Sequence, residues 1–511
     1  MSMRGVYTNV VKIRQMIFSE VAKMAYEGGD FKRIAELPYE IIPGEAATYR
    51  ESVFLERAIV EERLRLAIGL PVRDMSKHIP VEEGIEESVV AKRFYEAPLV
   101  NIIKAACSAC PENEVRVSDS CQGCLAHPCT EVCPKEAISI VQGRSYIDRE
   151  KCIQCGRCAS VCPYGAIVKL ERPCVKACGV GAIHADELGR AQIDYDACVS
   201  CGMCMVNCPF GAIADKGQIF QTIQAIKSGV PVYAAVAPAF VGQFGKNLPP
   251  EKITEALKEL GFADVVDVAV GADLCTIEEA GDFLEEVPEK QPFMATSCCP
   301  AWSVMVKKQF PELAPYISMA LTPMVLTGRL IKKKHPDCMV AFIGPCSAKK
   351  LEASRRSIRS DIDFVLTFEE VMGMFTAKGI EFDAIEQTEP MTASSADGRG
   401  FCVSGGVAKA VVNCIKRMKP GHEVKVASAE GLANCRQLMK DAKKGLYDGY
   451  LLEGMACPGG CVGGAGVMQS PTKAKGQVML NMKKAPGKIA LDSNYKEILT
   501  ELEEKDLAIP E

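Results

Sequence analysis

The sequence predicts an α/β domain towards the C-terminus, preceded by duplicated cysteine-rich α+β modules and a helical N-terminal region. Three observations carry this. Residues 1–96 hold no cysteine and repeat apolar side chains at helical spacing, sixteen of the 26 cysteines lie between Cys107 and Cys208, and after Ile219 short apolar strands alternate with amphipathic helices. A chain of 511 residues with 48% hydrophobic content can bury more than one core. The organisation expected is a helical region at 1–96, a cysteine-rich domain at 97–220 and an α/β domain at 221–511.

In the first region, Tyr49 to Leu70 places apolar residues among paired Glu and Arg, with Pro71 and Pro80 punctuating its end. It reads as a helical cap over a neighbour or as a docking surface. A net charge of −5 with both signs interspersed argues against nucleic acid as partner, because phosphate contacts need a basic face. The longest apolar stretch, Val230 to Val241, contains Pro238 and is too short to span a bilayer, and residues 1–16 show no signal-peptide core. The expected location is cytoplasmic. There, cysteines in a long chain hold metal sooner than form disulfides.

In the second region an internal repeat organises the cysteines. Four segments end in Cys, three residues, Cys, three residues, Ala-Ile: Cys129/Cys133, Cys158/Cys162, Cys174/Cys178 and Cys204/Cys208. Cys152, Cys155, Cys158 and Cys162 before Pro163, and Cys198, Cys201, Cys204 and Cys208 before Pro209, match the bacterial ferredoxin run, in which three thiolates hold one cubane and the fourth holds its neighbour. Structural zinc would favour separated pairs. Cys121, Cys124, Cys129 and Cys133 form a variant with one longer gap, whereas Cys107/Cys110 and Cys174/Cys178 are each half a motif. The repeat therefore predicts nested modules. Cys121, Cys124, Cys129 with Cys162, and Cys152, Cys155, Cys158 with Cys133, form the inserted pair; Cys198, Cys201, Cys204 with Cys178, and Cys107, Cys110, Cys174 with Cys208, form the enclosing one. Three to four accessory [4Fe–4S] clusters follow, four being preferred.

In the third region strands are expected at Val230 to Val236, Val265 to Val270, Met339 to Ile343 and Phe364 to Thr367, with helices at Ile253 to Leu260, Trp302 to Phe310 and Phe368 to Phe375. Three distant segments carry cysteines in turn-rich surroundings: Thr296 to Trp302, Gly344 to Lys350 and Glu453 to Cys461. Cys299, Cys346, Cys457 and Cys461 are four candidate ligands for one further cubane, with Lys349 as a nearby cation and glycines that let backbone approach a bulky group.

At these residues the chain resembles the [FeFe]-hydrogenases, over about Val230 to the C-terminus, and its Gly-Pro-Cys and Glu-Gly-Met segments resemble the group B branch. The resemblance implies a two-lobed α/β catalytic domain holding an H-cluster: a [4Fe–4S] cluster on Cys299, Cys346, Cys457 and Cys461, with Cys461 bridging to a diiron subsite bearing CO, CN and azadithiolate. Lys349 would hydrogen-bond a cyanide, Met455 would pack on the diiron unit, Ala237 and Pro238 would line its pocket, and Phe401 to Val407 would form a supporting strand and glycine turn. Cys298 would be the proton-carrying thiol, followed by Glu279, Ser318 and Asp282. Glu279, Asp282 and Glu286 share one helical face, and the family's usual residue at Glu286 differs, so the exit of this path looks altered.

The implied reaction is reversible interconversion of H2 with protons and electrons, the electrons passing to ferredoxin or a similar carrier, with hydrogenase maturation proteins as further partners. A hydrogen sensor without turnover, or a Nar-like iron–sulfur assembly protein, is the alternative. Gly344 stands where many members have Met, Met324 is a candidate to fill the space, and Ala465 interrupts the last glycine run. Cys275, Cys338, Cys402, Cys414 and Cys435 lack partner spacing and read as small buried hydrophobes.

Overall fold

The structure, a computed structural model, describes residues 5–499 apart from 91–94, 246, 387, 390 and 392. Parts of the expected 1–96 and 221–511 regions therefore lie outside the described residues.

The helix Asn9–Glu27 starts where Thr8 Oγ1 accepts the Val11 N–H at 3.4 Å and ends at Gly28, whose φ of 76° suits glycine. Ile17, Val21 and Met24 bury its apolar face. It lies along the helix Phe368–Lys378, close enough that a Cβ on Gly373 would come within 2.5 Å of Phe18 Cβ. The helix expected over Tyr49 to Leu70 runs Val53–Ala67, capped by Ser52.

In the cysteine-rich region the strand pairing is nested. Val100–Ile102 pairs antiparallel with Ile213–Asp215, and inside that pair Glu114–Val117 pairs antiparallel with Ile167–Leu170. Each pair encloses one hairpin, Ile183–Ala185 with Ala191–Ile193 and Ile138–Val141 with Arg144–Ile147. The repeated Ala-Ile has a physical reason. The N–H groups of Ala137, Ala166, Ala182 and Ala212 donate to the sulfurs of Cys133, Cys162, Cys178 and Cys208 at 3.3, 3.4, 3.2 and 3.3 Å, while the following Ile starts a strand and fills the core.

The α/β region has two parallel sheets. Four strands run in the order Asp264–Asp267, Val232–Val236, Met339–Gly344, Phe364–Thr367. Three run in the order Met294–Ala295, Tyr450–Met455, Lys425–Glu430. The helix Ala269–Glu286 packs against Pro323–Lys334 and against Gly406–Met418. Helices cover both sheets, as parallel sheets require.

Two expectations are corrected. The apolar run Val265 to Val270 is strand only to Asp267, because Asp267 Oδ1 accepts the Ala269 N–H at 2.9 Å and starts a helix there. Phe401 to Val407 contains no strand; its first five residues link the helix Ala396–Gly400 to the helix Gly406–Met418, the turn fixed by Glu453, which accepts the N–H groups of Gly405 and Ala408 at 2.7 and 2.8 Å.

Candidate functional site

Ala237, Cys299, Cys346 and Cys457 each follow the carboxyl end of a parallel strand, the edge at which open α/β sheets carry ligands. The two sheets point these ends into one cavity. Cys298, Cys299, Cys346, Cys457, Cys461, Lys349, Met455, Ala237 and Pro238 all line it. So do Phe342, Phe401, Cys402 and Met324, which the sequence marked weakly or not at all as lining residues.

Glycine lets this wall close. A Cβ on Gly460, whose φ is 90°, would stand 2.5 Å from the Ser404 backbone nitrogen, and a Cβ on Gly464 would overlap Pro345 in the Cys346 loop.

The donor set fits an iron–sulfur group. Burial first, then repulsion by neighbouring thiols, raises Cys346 to about 11, and burial likewise pushes Cys299 and Cys461 up, so these three thiols need cationic metal beside them to become thiolates. Among the described residues no three His, Cys, Asp or Glu side chains converge closely enough for a single metal ion. Four cysteine sulfurs are the donor set that a [4Fe–4S] cluster takes. Cys298 and Cys299 are both free thiols.

Lys349 is enclosed, and its Nζ donates to Glu352 Oε2 at 2.6 Å and to Thr322 Oγ1 at 3.2 Å. Burial opposes its charge, yet Glu352 outweighs that and the ammonium is held above its ordinary range. Glu352, three residues along the same helix, was visible in the sequence only as a charge at helical spacing.

Glu279 is fully buried on the helix Ala269–Glu286, where its Oε1 accepts the Ser297 N–H at 3.0 Å and the Ser318 hydroxyl also reaches its carboxyl group. Burial, aided by Asp282, raises Glu279 to about 7. Cys298 is pushed above the thiol range by burial first and Glu279 next. The structure thus brings Cys298, Glu279, Ser318 and Asp282 together. Beyond them, Glu286 accepts from Gln291 at 2.6 Å.

Gly344 leaves no void. A Cβ there would be 2.7 Å from Phe342 Cζ, so the Phe342 ring occupies the space. Met324 lines the same cavity, but Phe342 is the residue that fills the position. Ala465 faces away from the cavity: a Cβ on Gly202 would be 2.5 Å from Ala465 Cβ, which makes Ala465 part of the contact with the cysteine-rich region.

Among the other cysteines, Cys110 and Cys174 both feel the charges of Cys107 and Cys208. Cys178, Cys198, Cys201 and Cys204 form a second group, and Cys201 also lines the cavity and feels Cys346. Cys129, Cys133, Cys152 and Cys158 share a third small core, and Cys155 influences Cys158. Ser145 hydrogen-bonds the Cys121 sulfur. Cys275, Cys338, Cys402, Cys414 and Cys435 are buried.

The profile described as iron only hydrogenase large subunit, C-terminal domain, matches residues 230–465, and two 4Fe-4S binding domain profiles match 145–168 and 190–213. The periplasmic [Fe] hydrogenase large subunit of Nitratidesulfovibrio vulgaris is 32% identical over 366 residues, 63% of this chain and 85% of that protein. Iron hydrogenase 1 of Clostridium pasteurianum is 30% identical over 387 residues, 65% of this chain and 67% of that protein. The NADP-reducing hydrogenase subunit HndD of Solidesulfovibrio fructosivorans is 28% identical over 364 residues, 62% of this chain, and the chain spans 55% of its length. Cytosolic iron-sulfur assembly component 3 of Bos taurus matches less of the chain, at 27% over 272 residues, or 43%. The matched profile spans all four cysteines at the cavity, and a relative sharing about a third of its residues is covered over most of its length; this chain belongs to the iron-only hydrogenase family.

Proposed function

We propose that the chain is an [FeFe]-hydrogenase that interconverts H2 with protons and electrons. The observation that carries this reading is the single cavity shared by Cys298, Cys299, Cys346, Lys349, Met455, Cys457 and Cys461. Cys299, Cys346, Cys457 and Cys461 would hold the [4Fe–4S] part of the H-cluster, Cys461 the bridge to the diiron subsite, and Lys349, Met455, Ala237 and Pro238 its surroundings. When bound, that group supplies heterolytic cleavage and formation of dihydrogen.

The chain's own residues do the rest. Apolar walls at Ala237, Val268, Phe342 and Phe401 keep water from the cavity and strengthen the field of the Lys349 ammonium inside it. The Cys298 thiol exchanges protons with the cavity side, and Glu279, held near neutrality by burial, takes the proton on towards Ser318 and Asp282.

Four accessory [4Fe–4S] clusters carry the electrons. The nested strand pairs and the grouping of Cys107, Cys110, Cys174 and Cys208 support the fourth. Cys201, at the cavity wall, supports a direct handover to the catalytic group. The regions 1–96, 97–220 and 221–511 then act as helical cap, nested ferredoxin-like modules and catalytic domain. Ferredoxin is the proposed carrier, maturation proteins are the proposed source of the diiron subsite, and the cytoplasm is the proposed location; no described helix is long and apolar enough to cross a membrane.

Infrared spectroscopy of anaerobically matured protein tests the cofactor, since carbonyl and cyanide bands require the diiron subsite. Uptake and evolution assays with oxidised and reduced ferredoxin test turnover. Bands without turnover would favour a sensor, and iron without bands would favour an assembly protein of the kind to which the bovine component belongs by name.

A further inference from the structure

The N-terminal helical region reaches into the cysteine-rich region at one place. Arg63, on the helix Val53–Ala67, is buried, and its Nη2 donates to the Gly211 carbonyl, three residues after Cys208. Arg50, just before that helix, donates from Nη2 to the Phe210 carbonyl at 2.7 Å and to the Ala106 carbonyl, next to Cys107, at 3.4 Å. Two loops that converge on the Cys107, Cys110, Cys174 and Cys208 group are thus gripped by guanidinium groups from outside the module.

A third guanidinium closes the other side. Arg172, 4% exposed, donates to the Cys110 carbonyl at 3.1 and 2.9 Å and to the Gly189 carbonyl at 2.8 Å. Its Nη1 is buried with no hydrogen-bond partner, which is costly unless an acceptor or negative charge lies beside it. Cys110 and Cys174 both lie within its electrostatic reach, as Cys208 lies within that of Arg63.

Glycine makes room for this arrangement. A Cβ on Gly211, whose φ is 57°, would stand 2.5 Å from Arg63 Nη2. Among the described residues no carboxylate forms a salt bridge with Arg50, Arg63 or Arg172. Arg63 feels Glu369 at longer range, and Cys208 acts on it more strongly than that carboxylate does.

We propose that Arg50, Arg63 and Arg172 form a cationic cage that raises the reduction potential of the [4Fe–4S] cluster on Cys107, Cys110, Cys174 and Cys208 above those of the other accessory clusters. This rests on the reading that these four cysteines hold a cubane. The physical basis is that reduction adds one negative charge to the cluster, and fixed cations close to it stabilise that added charge. Each handover moves one electron, the donor cluster being oxidised as this one is reduced. The cluster sits between the inserted module, joined to it through Glu114–Val117 and Arg172, and the cavity-side group, where Cys204 feels Cys174. It would be the site on which an electron rests between the outside and the catalytic cavity. The N-terminal region is then a tuning element for the electron route as well as a cap.

The test is an EPR-monitored redox titration of the full chain carrying its [4Fe–4S] clusters, with iron and spin counts. Cys174→Ser identifies the signal of this cluster by its loss or change. A full complement of unchanged cubane signals in Cys174→Ser would remove the cluster reading itself. With the signal assigned, Arg63→Gln should shift its midpoint to more negative potential and leave the other accessory signals in place, and Arg63→Lys should restore most of the shift. If Arg63→Gln does not retain iron, the same titration on Arg50→Gln, at a half-buried position, decides. An unmoved midpoint in the decisive variant, or equal movement of every signal, overturns the cage while leaving the cluster reading intact.

Discussion

Replacing Glu279 by Gln separates proton transfer from stability, because the two should move in opposite directions. The carboxyl group is fully buried, meets Ser297 and Ser318, and shares its surroundings with Asp282, Cys275 and Cys298. Gln keeps an acceptor for the Ser297 N–H but cannot take up and release a proton. Loss of a positioned acid–base group should lower H2 turnover by about 10²–10⁴-fold, with the carbonyl and cyanide bands retained. Stability should rise. Burial moves Glu279 from 4.5 to about 7, so its contribution is fully present below about pH 4.5 and is lost as pH rises through about 7. That amounts to about 3 kcal/mol in all, of which roughly 1 kcal/mol falls between pH 6 and 8.5. Anaerobic denaturant unfolding at those two pH values should show wild type losing ground to Glu279→Gln as pH rises. Wild-type turnover in the variant would end its role in the proton path, and a parallel pH response would refute the account of its burial.

Cys298→Ser should keep the carbonyl and cyanide bands and lose most activity, since serine is a far poorer proton carrier than thiol; full activity would remove Cys298 from the path. Gly344→Ala should drive a Cβ into the Phe342 ring and cost about 1–3 kcal/mol by overpacking. Phe342→Leu in the same chain should recover part of that loss, read as unfolding midpoints of the single and double variants. Lys350 is fully buried, with its Nζ 3.0 Å from Asp215 Oδ2 and 3.1 Å from Glu370 Oε2, and it donates to the Lys216 carbonyl at 2.8 Å. Lys350→Met should cost about 3–5 kcal/mol by stranding two buried carboxylates, and an unchanged unfolding midpoint would show that these ion pairs do not stabilise the fold.

The cysteine motifs were legible because their chemistry is local: three sulfurs converge on one cubane only at short, fixed spacing, and the repeated Ala-Ile supplies an N–H to the sulfur and a core residue in consecutive positions. The alternation after Ile219 was legible because strand and helix periods differ, and its failures fall where that signal is silent. Val268 to Val270 is apolar in either state, and a hydrogen bond to Asp267 decides for helix. Phe401 to Val407 is bound by Glu453, 48 residues from Gly405, which no local pattern reports. The sequence by itself determined which cysteines carry the spacing of iron–sulfur ligands, since ligand chemistry and spacing belong to the chain. Only the tertiary structure decided that Phe342 fills the space beside Gly344, that Ala465 serves a contact between regions, and that arginines from the N-terminal region surround the loops of Cys107 and Cys208. These depend on side chains from separate elements meeting in space, where contact distances and burial set the energies.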